Sequence, residues 1–296
     1  MSRALPPGPT GLVVVDKEAG WTSHDVVARV RSIFGQRRVG HAGTLDPDAT
    51  GVLLVGLGRV TRLLRFLTGL PKEYTAQIVL GAATDTLDSS GQVVGEWDMT
   101  AVTLEDARAA AAALTGRIQQ VPPMVSALKV GGRRLHQLAR QGIEVERAAR
   151  TVRVDRFDIE ATDDPGVLRA TVVCSAGTYV RSLAADLGAS LGGGAHLRAL
   201  RRTRVGSFSV DDAERIDALG PGSLRAPAEA LRDIDRVTAD PDVSVLVARG
   251  RPLERAPLGA TGEGPWAVVD ATGRLLAVYE RTSPQSIRPA VVLVSR

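Results

Sequence analysis

Asp46 lies in the stretch HAGTLDPDATG, bounded by Gly43 and Gly51 and followed directly by Pro47. Glycines let a loop carry a side chain close to a ligand. A carboxylate with an ordinary pKa of about 3.9 is ionised at neutral pH and attacks without a separate base, so it needs orientation more than activation. The same dipeptide is also how helices start, with Asp as N-cap and Pro at the first helical position. On residue types alone the cap is the simpler reading of Asp46, and both readings stand at this point.

Other residues have the types that a nucleophilic carboxylate needs around it. A buried carboxylate must be paired, and Arg181, which follows the SAGT loop, offers a bidentate guanidinium; surface charge is its plainer reading. Tyr74 and Tyr179 are two of only three tyrosines in a chain with 3% aromatic residues. Their rings either pack the core or stack on a base taken out of its helix. Lys17, His41 and His196 are phosphate or base contacts in that second picture and ordinary loop residues in the first. Two basic groups stand out, Arg198, Arg201, Arg202 and Arg204 in one, Lys129, Arg133, Arg134 and Arg140 in the other.

Thirty-seven Lys and Arg against 33 Asp and Glu give a net charge of +4, a hint of a polyanionic partner that solvated surface arginines explain equally well. Several chemistries lose support. There is no phosphate loop ending in GK[ST], no dinucleotide fingerprint after a strand, no HExxH and no nucleophile elbow, so neither a nucleotide cofactor nor zinc is expected. Ser23, His24 and Asp25 adjoin in sequence, but neighbours at a helix start point apart and do not converge as a triad. The single cysteine, Cys174, excludes an internal disulfide and the cysteine zinc clusters, and fits a reducing compartment.

The elements that must position these residues follow from periodicity. Leu12 to Val15 reads as a strand, Asp16 to Gly20 as a turn, and the spacing of Val26, Val27, Val30, Ile33 and Phe34 as a helix, with Thr22 or Ser23 as N-cap and Gly35 at its end. Residues 39–58 read as an ordered loop entering a strand at Val52 to Val55. YTAQIVL, Tyr74 to Leu80, alternates like a half-buried strand, TDTLDSSG supplies turn chemistry, and Thr103 with Asp106 makes a capping box for the alanine-rich helix ending near Gly116. Between Val121 and Arg150 a Gly-Gly pair and a basic helical piece, Arg134 to Gln141, suggest a protruding insertion. Strands at Thr151 to Ile159 and Val167 to Cys174 precede the SAGT loop and a helix carrying Val180, Leu183, Leu187 and Leu191. From about Asp235 onward the expectation is a small all-β module with strands Trp266 to Asp270 and Leu275 to Tyr279.

A length of 296 residues suits one large domain plus a smaller one, and 44% apolar with 24% charged residues suits a folded chain. The first ten residues lack the pattern of a secretory leader, and no run of eighteen apolar residues occurs, so no membrane association and a cytoplasmic location are expected.

Taken together, six ordered segments resemble the TruB family of tRNA pseudouridine-55 synthases over residues 11 to about 210. They are GLVVVDKEAGWTSHDVV, RRVGHAGTLDPDATGVLLVGLG, KEYTAQIVLGAATDTLDSSG, QVPPMVSALKVGGRRLHQLARQGIEV, CSAGTYVRSLAADLG and GGGAHLRALRRTRVGSF. The resemblance implies that Asp46 is the nucleophile, that Tyr74 lies against the target base, and that Arg181 pairs with and orients Asp46. It places His41, Tyr179 and Leu200 at substrate-contacting positions and Lys17 beside the site, with Lys129, Arg133, Arg134 and Arg202 as RNA contacts. It implies an α+β fold on a mixed, largely antiparallel sheet, in a catalytic domain over 10–230 with a thumb-like insertion at about 121–150. A C-terminal PUA-like RNA-binding module would occupy 235–296. The implied activity is cofactor-free isomerisation of uridine 55 in the T-loop of tRNA by base flipping, in a monomer. Attack at C6 of the base and at C1′ of the ribose both remain open. The alternative is a tRNA-folding chaperone that opens the T-arm with catalysis secondary or absent. A synthase of the guide-RNA particle type is a third option, which the continuous insertion disfavours.

Overall fold

The apolar run that begins at Leu12 makes a longer strand than expected, Gly11–Lys17 (β1), which takes Asp16 and Lys17 out of the anticipated turn. Six of its seven residues are buried, because β1 runs between two partners. On one side it pairs antiparallel with Thr50–Leu57 (β3), and on the other it pairs parallel with Glu214–Arg215 (β14). Val39–Ala42 (β2) pairs antiparallel with β3, so His41 belongs to a strand and not to the loop in which it was expected. The computed structural model describes residues 8–294 except 127, 131, 136–140, 142 and 144.

Two units divide the chain. The first comprises the described residues of Met1–Pro47, Gly51–Gly69 and Gly206–Arg296; the second comprises Asp48–Thr50 and Leu70–Val205. In the first unit the helix Ser23–Phe34 (α1) starts and stops as its sequence dictates. Thr22 and Asp25 form a capping box, and Gly35 closes the helix at φ 58°. Val26, Val27 and Val30 bury against Val13 and Val15 of β1 and Leu53, Val55 and Leu57 of β3. The short helix Leu64–Thr68 (α2) follows, and the chain returns to this unit through Phe208–Ser209 (β13).

The C-terminal part of that unit carries its own sheet, of five strands. Asp235–Thr238 (β15), Leu253–Glu254 (β16), Trp266–Val269 (β17), Leu275–Arg281 (β18) and Ser286–Val292 (β19) are ordered β15-β17-β18-β19-β16. Their core is built on Trp266, Val268, Ala277, Tyr279 and Ile287. This region is mainly β but not all β. It also carries the helices Pro241–Ala248 and Arg255–Leu258 (α5 and α6, after the two helices of the second unit), which the all-β expectation did not include.

The second unit is an antiparallel sheet of Ala195–Val205 (β12), Lys72–Leu80 (β4), Val167–Cys174 (β11), Arg150–Ala161 (β10) and Gly116–Gln120 (β7), in that order. Leu104–Ala113 (α3), capped by Thr103 and Asp106 as expected, packs on β10, and Val180–Ser190 (α4) packs on β12. Gly188 of α4 has no room for a side chain, since a Cβ there would meet the backbone nitrogen of Ala195 at 2.4 Å. A hairpin of Ala82–Thr84 (β5) and Val93–Glu96 (β6) carries the TDTLDSSG turn. A second hairpin, Lys129–Val130 (β8) with Arg133–Arg134 (β9), places Arg134 in a strand where a helix was expected; most of that expected helix lies outside the described residues. The fold is thus α+β, with mixed and largely antiparallel strand pairing, in which β1 with β14 and β15 with β17 are parallel.

Candidate active site

No helix follows Asp46. Residues 43–49 are irregular backbone between β2 and β3, and the glycines at both ends, Gly43 at φ 85° and Gly51 at φ 100°, hold conformations that other residues rarely adopt. The N-cap reading of Asp46 therefore fails. What fixes the loop is a pair of clamps, one on each neighbour of Asp46. The Ser23 hydroxyl, from the first turn of α1, accepts from the Leu45 N–H at 2.9 Å and donates to the Leu45 carbonyl at 3.1 Å. On the other side the Pro47 carbonyl accepts from Lys17 Nζ at 2.8 Å and from the Gly20 N–H at 3.0 Å.

Lys17 is part of this geometry. It is 1% exposed, and its ammonium also donates to the carbonyls of Trp21, at 2.6 Å, and Glu18, at 2.9 Å. An ammonium has three donors and three backbone carbonyls accept from this one, so Lys17 holds the loop. His41 stands on β2 with its ring edge-on to His24, centroids 5.7 Å apart.

In the second unit Tyr74 is 9% exposed and stands on β4 between Val172 of β11 and Arg202 of β12. Arg202 is itself only 1% exposed. Arg198 and Arg204 are exposed; in a regular strand all three would share a face, and the register shifts between Leu197 and Ala199 and between Arg202 and Arg204 let β12 present them differently. Arg198 is held by Gln77 and Asp164, and Arg201 donates to Thr50 Oγ1 at 3.5 Å. Leu200, opposite Ala76, lines a hollow of about 230 Å³ with Thr75, Gln77, Arg169 and Arg201. Lys72, buried near Arg202, has its pKa pushed down to about 8, chiefly by burial and then by that guanidinium. Burial also pushes the Cys174 thiol up to about 11, which keeps it unreactive.

Arg181 occupies the first turn of α4 and is 3% exposed. Its guanidinium meets Asp88 Oδ2 at 3.2 Å and donates to the carbonyls of Thr86, at 2.9 Å, and Val125, at 2.7 Å. Asp88 escaped the sequence reading because TDTLDSSG was taken as turn chemistry alone. The turn is there, and it is strained: Leu87, next to Asp88, sits at φ 63°. The other Asp88 oxygen accepts from Thr86 Oγ1 at 2.7 Å and from the Ser90 N–H at 3.1 Å, leaving Oδ2 aimed at Arg181. Tyr179 is the N-cap residue of α4, with its backbone bonded to Gln120. On the hairpin of β8 and β9, Lys129 pairs in register with Arg134, and Arg133 is exposed and bonded to Gln141. Arg140 lies outside the described residues. His196, on β12, is bonded through Nδ1 to the Ala82 carbonyl at 2.8 Å. Among the described residues no group of three or more His, Cys, Asp or Glu is placed to hold a metal ion, and no helix is long and apolar enough to cross a membrane.

The chain as a whole has counterparts among known proteins. The model of the N-terminal domain of the TruB family pseudouridylate synthases matches residues 31–180, and that of the tRNA pseudouridylate synthase B C-terminal domain matches 181–234. The tRNA pseudouridine synthase B of Mycobacterium sp. (strain KMS) is 49% identical over 289 residues, 96% of either chain. That of Rhodococcus jostii (strain RHA1) is 47% identical over 294 residues, 95% of either chain. Among solved structures, a chain of a Cbf5-Nop10-Gar1 complex superposes with a TM-score of 0.74 at 25% identity, covering 96% of this chain and 84% of that one. A chain of an H/ACA RNP bound to a substrate RNA containing 2'-deoxyuridine gives 0.72 at 23% identity, covering 97% and 86%, and shares the fold. With family models spanning more than half its length and relatives near half-identical from end to end, the chain belongs to the TruB family of pseudouridylate synthases.

Proposed function

We propose that the protein isomerises uridine 55 in the T-loop of tRNA to pseudouridine, with Asp46 as the nucleophile. The observation that carries this reading is the double clamp on the Asp46 loop: buried Ser23 and Lys17 fix the peptide groups on either side of a carboxylate that caps no helix. Such bracing fits a group whose task is to attack from one position. The names of the relatives, tRNA pseudouridine synthase B, agree with the reaction class.

In the reaction, Asp46 attacks the nucleoside covalently, the bond from N1 of uracil to the ribose breaks, and the base turns and rejoins through C5. The bond to Asp46 then breaks and restores the carboxylate, the C5 proton leaves to solvent, and N1 takes up a proton. Bonds broken and formed balance, and no cofactor exchanges atoms or electrons. Arg181 pairs with Asp46 and holds its direction, while Tyr74 stacks on the base and assists loss of the C5 proton. His41, Tyr179 and Leu200 contact the flipped nucleotide. Flipping costs a few kcal/mol, which cationic and stacking contacts must offset. Lys129, Arg133 and Arg134 supply phosphate contacts from the thumb-like insertion, and residues 235–296 act as a PUA-like RNA-binding module. The enzyme works as a cytoplasmic monomer that reads the shape of the T-arm.

Tritium release from tRNA labelled at uridine C5 tests this, comparing wild type with Asp46→Asn and measuring tRNA binding for both. Release by the wild type alone, with binding retained by both, is expected. If neither protein releases tritium and both bind, a tRNA-folding chaperone becomes the better account. Arg133→Ala is expected to lower the salt slope of tRNA binding by about 0.7 to 0.9 for its one phosphate contact, and an unchanged slope removes that residue from the interface.

A further inference from the structure

We infer that Gln120 is a positioning residue for the reaction, acting through the backbone of Tyr179 on Arg181. This rests on the proposed roles of Tyr179 and Arg181. Gln120 ends β7 and is 2% exposed. Its carboxamide bridges both polar groups of one residue: Oε1 accepts from the Tyr179 N–H at 2.7 Å, and Nε2 donates to the Tyr179 carbonyl at 3.1 Å. A neighbouring strand would make the same two bonds, and here a single side chain makes them.

The place of this bridge gives it consequence. Tyr179 is the N-cap residue of α4, and no side chain caps that helix. A helix start without a cap is weakly specified, because its first amides have no fixed partner. Gln120 supplies the missing specification by holding the peptide groups from which α4 departs. Ser182, in the first turn of α4, reinforces it by donating from Oγ to the Val121 carbonyl at 3.2 Å. Between these two anchors sits Arg181, whose guanidinium is bonded at its far end to Asp88 and to the Thr86 and Val125 carbonyls. The side chain is thus fixed at both ends, at the tip by the Asp88 turn and at the root by Gln120 and Val121. Loosening the root lets the guanidinium keep its tip contacts only by tilting. A displacement of about 1 Å at a reacting group costs on the order of 100-fold in rate.

A buried glutamine that merely satisfies two backbone groups would matter for folding and not specifically for the chemical step. The two roles separate in Gln120→Met, which keeps the bulk and loses both bonds, and Gln120→Glu, which keeps the acceptor and loses the donor. Gln119→Ala, one residue away on the exposed side of β7, is the control. Single-turnover pseudouridine formation, the tRNA Kd and the circular dichroism of each full-length variant are measured at one temperature.

The expected result is a rate constant at least tenfold lower for the Gln120 variants, with Kd within twofold of wild type, native circular dichroism and an unchanged control. A rate within twofold of wild type in a folded variant overturns the inference. So does a fall in binding as large as the fall in rate, which marks a purely structural glutamine. Should the methionine variant not fold, the glutamate variant decides by the same two criteria. A wild type that forms no pseudouridine overturns the parent reading and this one with it, whereas an active wild type with an indifferent Gln120 overturns this one alone.

Discussion

The tripeptide Asp-Pro-Asp occurs at 46–48 and again at 240–242, and it folds differently in the two places. At 240 it starts α5: Asp240 Oδ1 accepts from the Val243 N–H at 2.8 Å, and Pro241 takes the first helical position. At 46 it stays in open loop. The difference lies in what surrounds it. In a helix the Pro47 carbonyl would accept the amide of residue 51, but here Lys17 and Gly20 occupy that carbonyl and Gly51 sits at φ 100°. Distant side chains have overridden a local preference, and the outcome is a carboxylate released from capping.

Exchanging each leading Asp for Asn tests the contrast most strongly. Asp46→Asn is expected to lower tritium release by at least about 1,000-fold, since an amide cannot act as the nucleophile. Asp240→Asn should leave release within twofold of wild type, because Asn caps a helix as well as Asp does. Equal losses at both positions would end the distinction.

Next in size is Lys17→Met. Removing a buried ammonium that serves three backbone carbonyls is expected to cost about 3 kcal/mol in urea unfolding, with activity lost as the loop relaxes. A smaller effect is expected at Ser23→Ala, about 1 to 3 kcal/mol for the two unpaired groups of Leu45, with the rate reduced and tRNA binding kept. Its counterpart, Asp240→Ala, should cost about 1 kcal/mol of stability and leave the rate alone. If Ser23→Ala left the rate equally untouched, the clamp would have no bearing on chemistry.

The smallest effect concerns pH. Burial holds Lys72 at about 8 in the folded chain, against 10.5 for an ordinary lysine. Between those values the unfolded chain binds more protons, so this group adds stability as pH rises from 8 towards 10.5. Lys72→Met lacks that gain, and the wild type's unfolding midpoint should rise relative to the variant's between pH 8 and 10. A constant difference would show that Lys72 titrates normally.

Where local signals suffice, the sequence could be read directly. The α1 helix announced itself through Thr22, its valine spacing and Gly35, and the α3 helix through Thr103 and Asp106. Strand β11 was placed at its observed bounds. The failures share a cause, which is that a residue's partner was far away in sequence. Nothing near Lys17 signals that it points at Pro47, and nothing near Asp88 signals Arg181. Arg202 looked like its arginine neighbours until its strand turned it inward. The helix at 241 was the opposite case, a local signal of Asp240 and Pro241 set aside under the expectation of an all-β module.

The chain leaves the first unit at Gly69 and returns to it at Gly206, and the return matters for β1. Its second edge is covered only when Glu214 and Arg215 pair with Val15 and Asp16 and when Arg225 bridges Leu12. On the ribosome, residues 70–205 are synthesised as one uninterrupted stretch and can close their own sheet while β1 still waits for its partner. During that interval a strand with six of seven residues destined for burial presents a bare edge to other chains. A chain that ends shortly after residue 205 therefore leaves that edge uncovered, although it holds every residue of the Asp46 loop and Arg181.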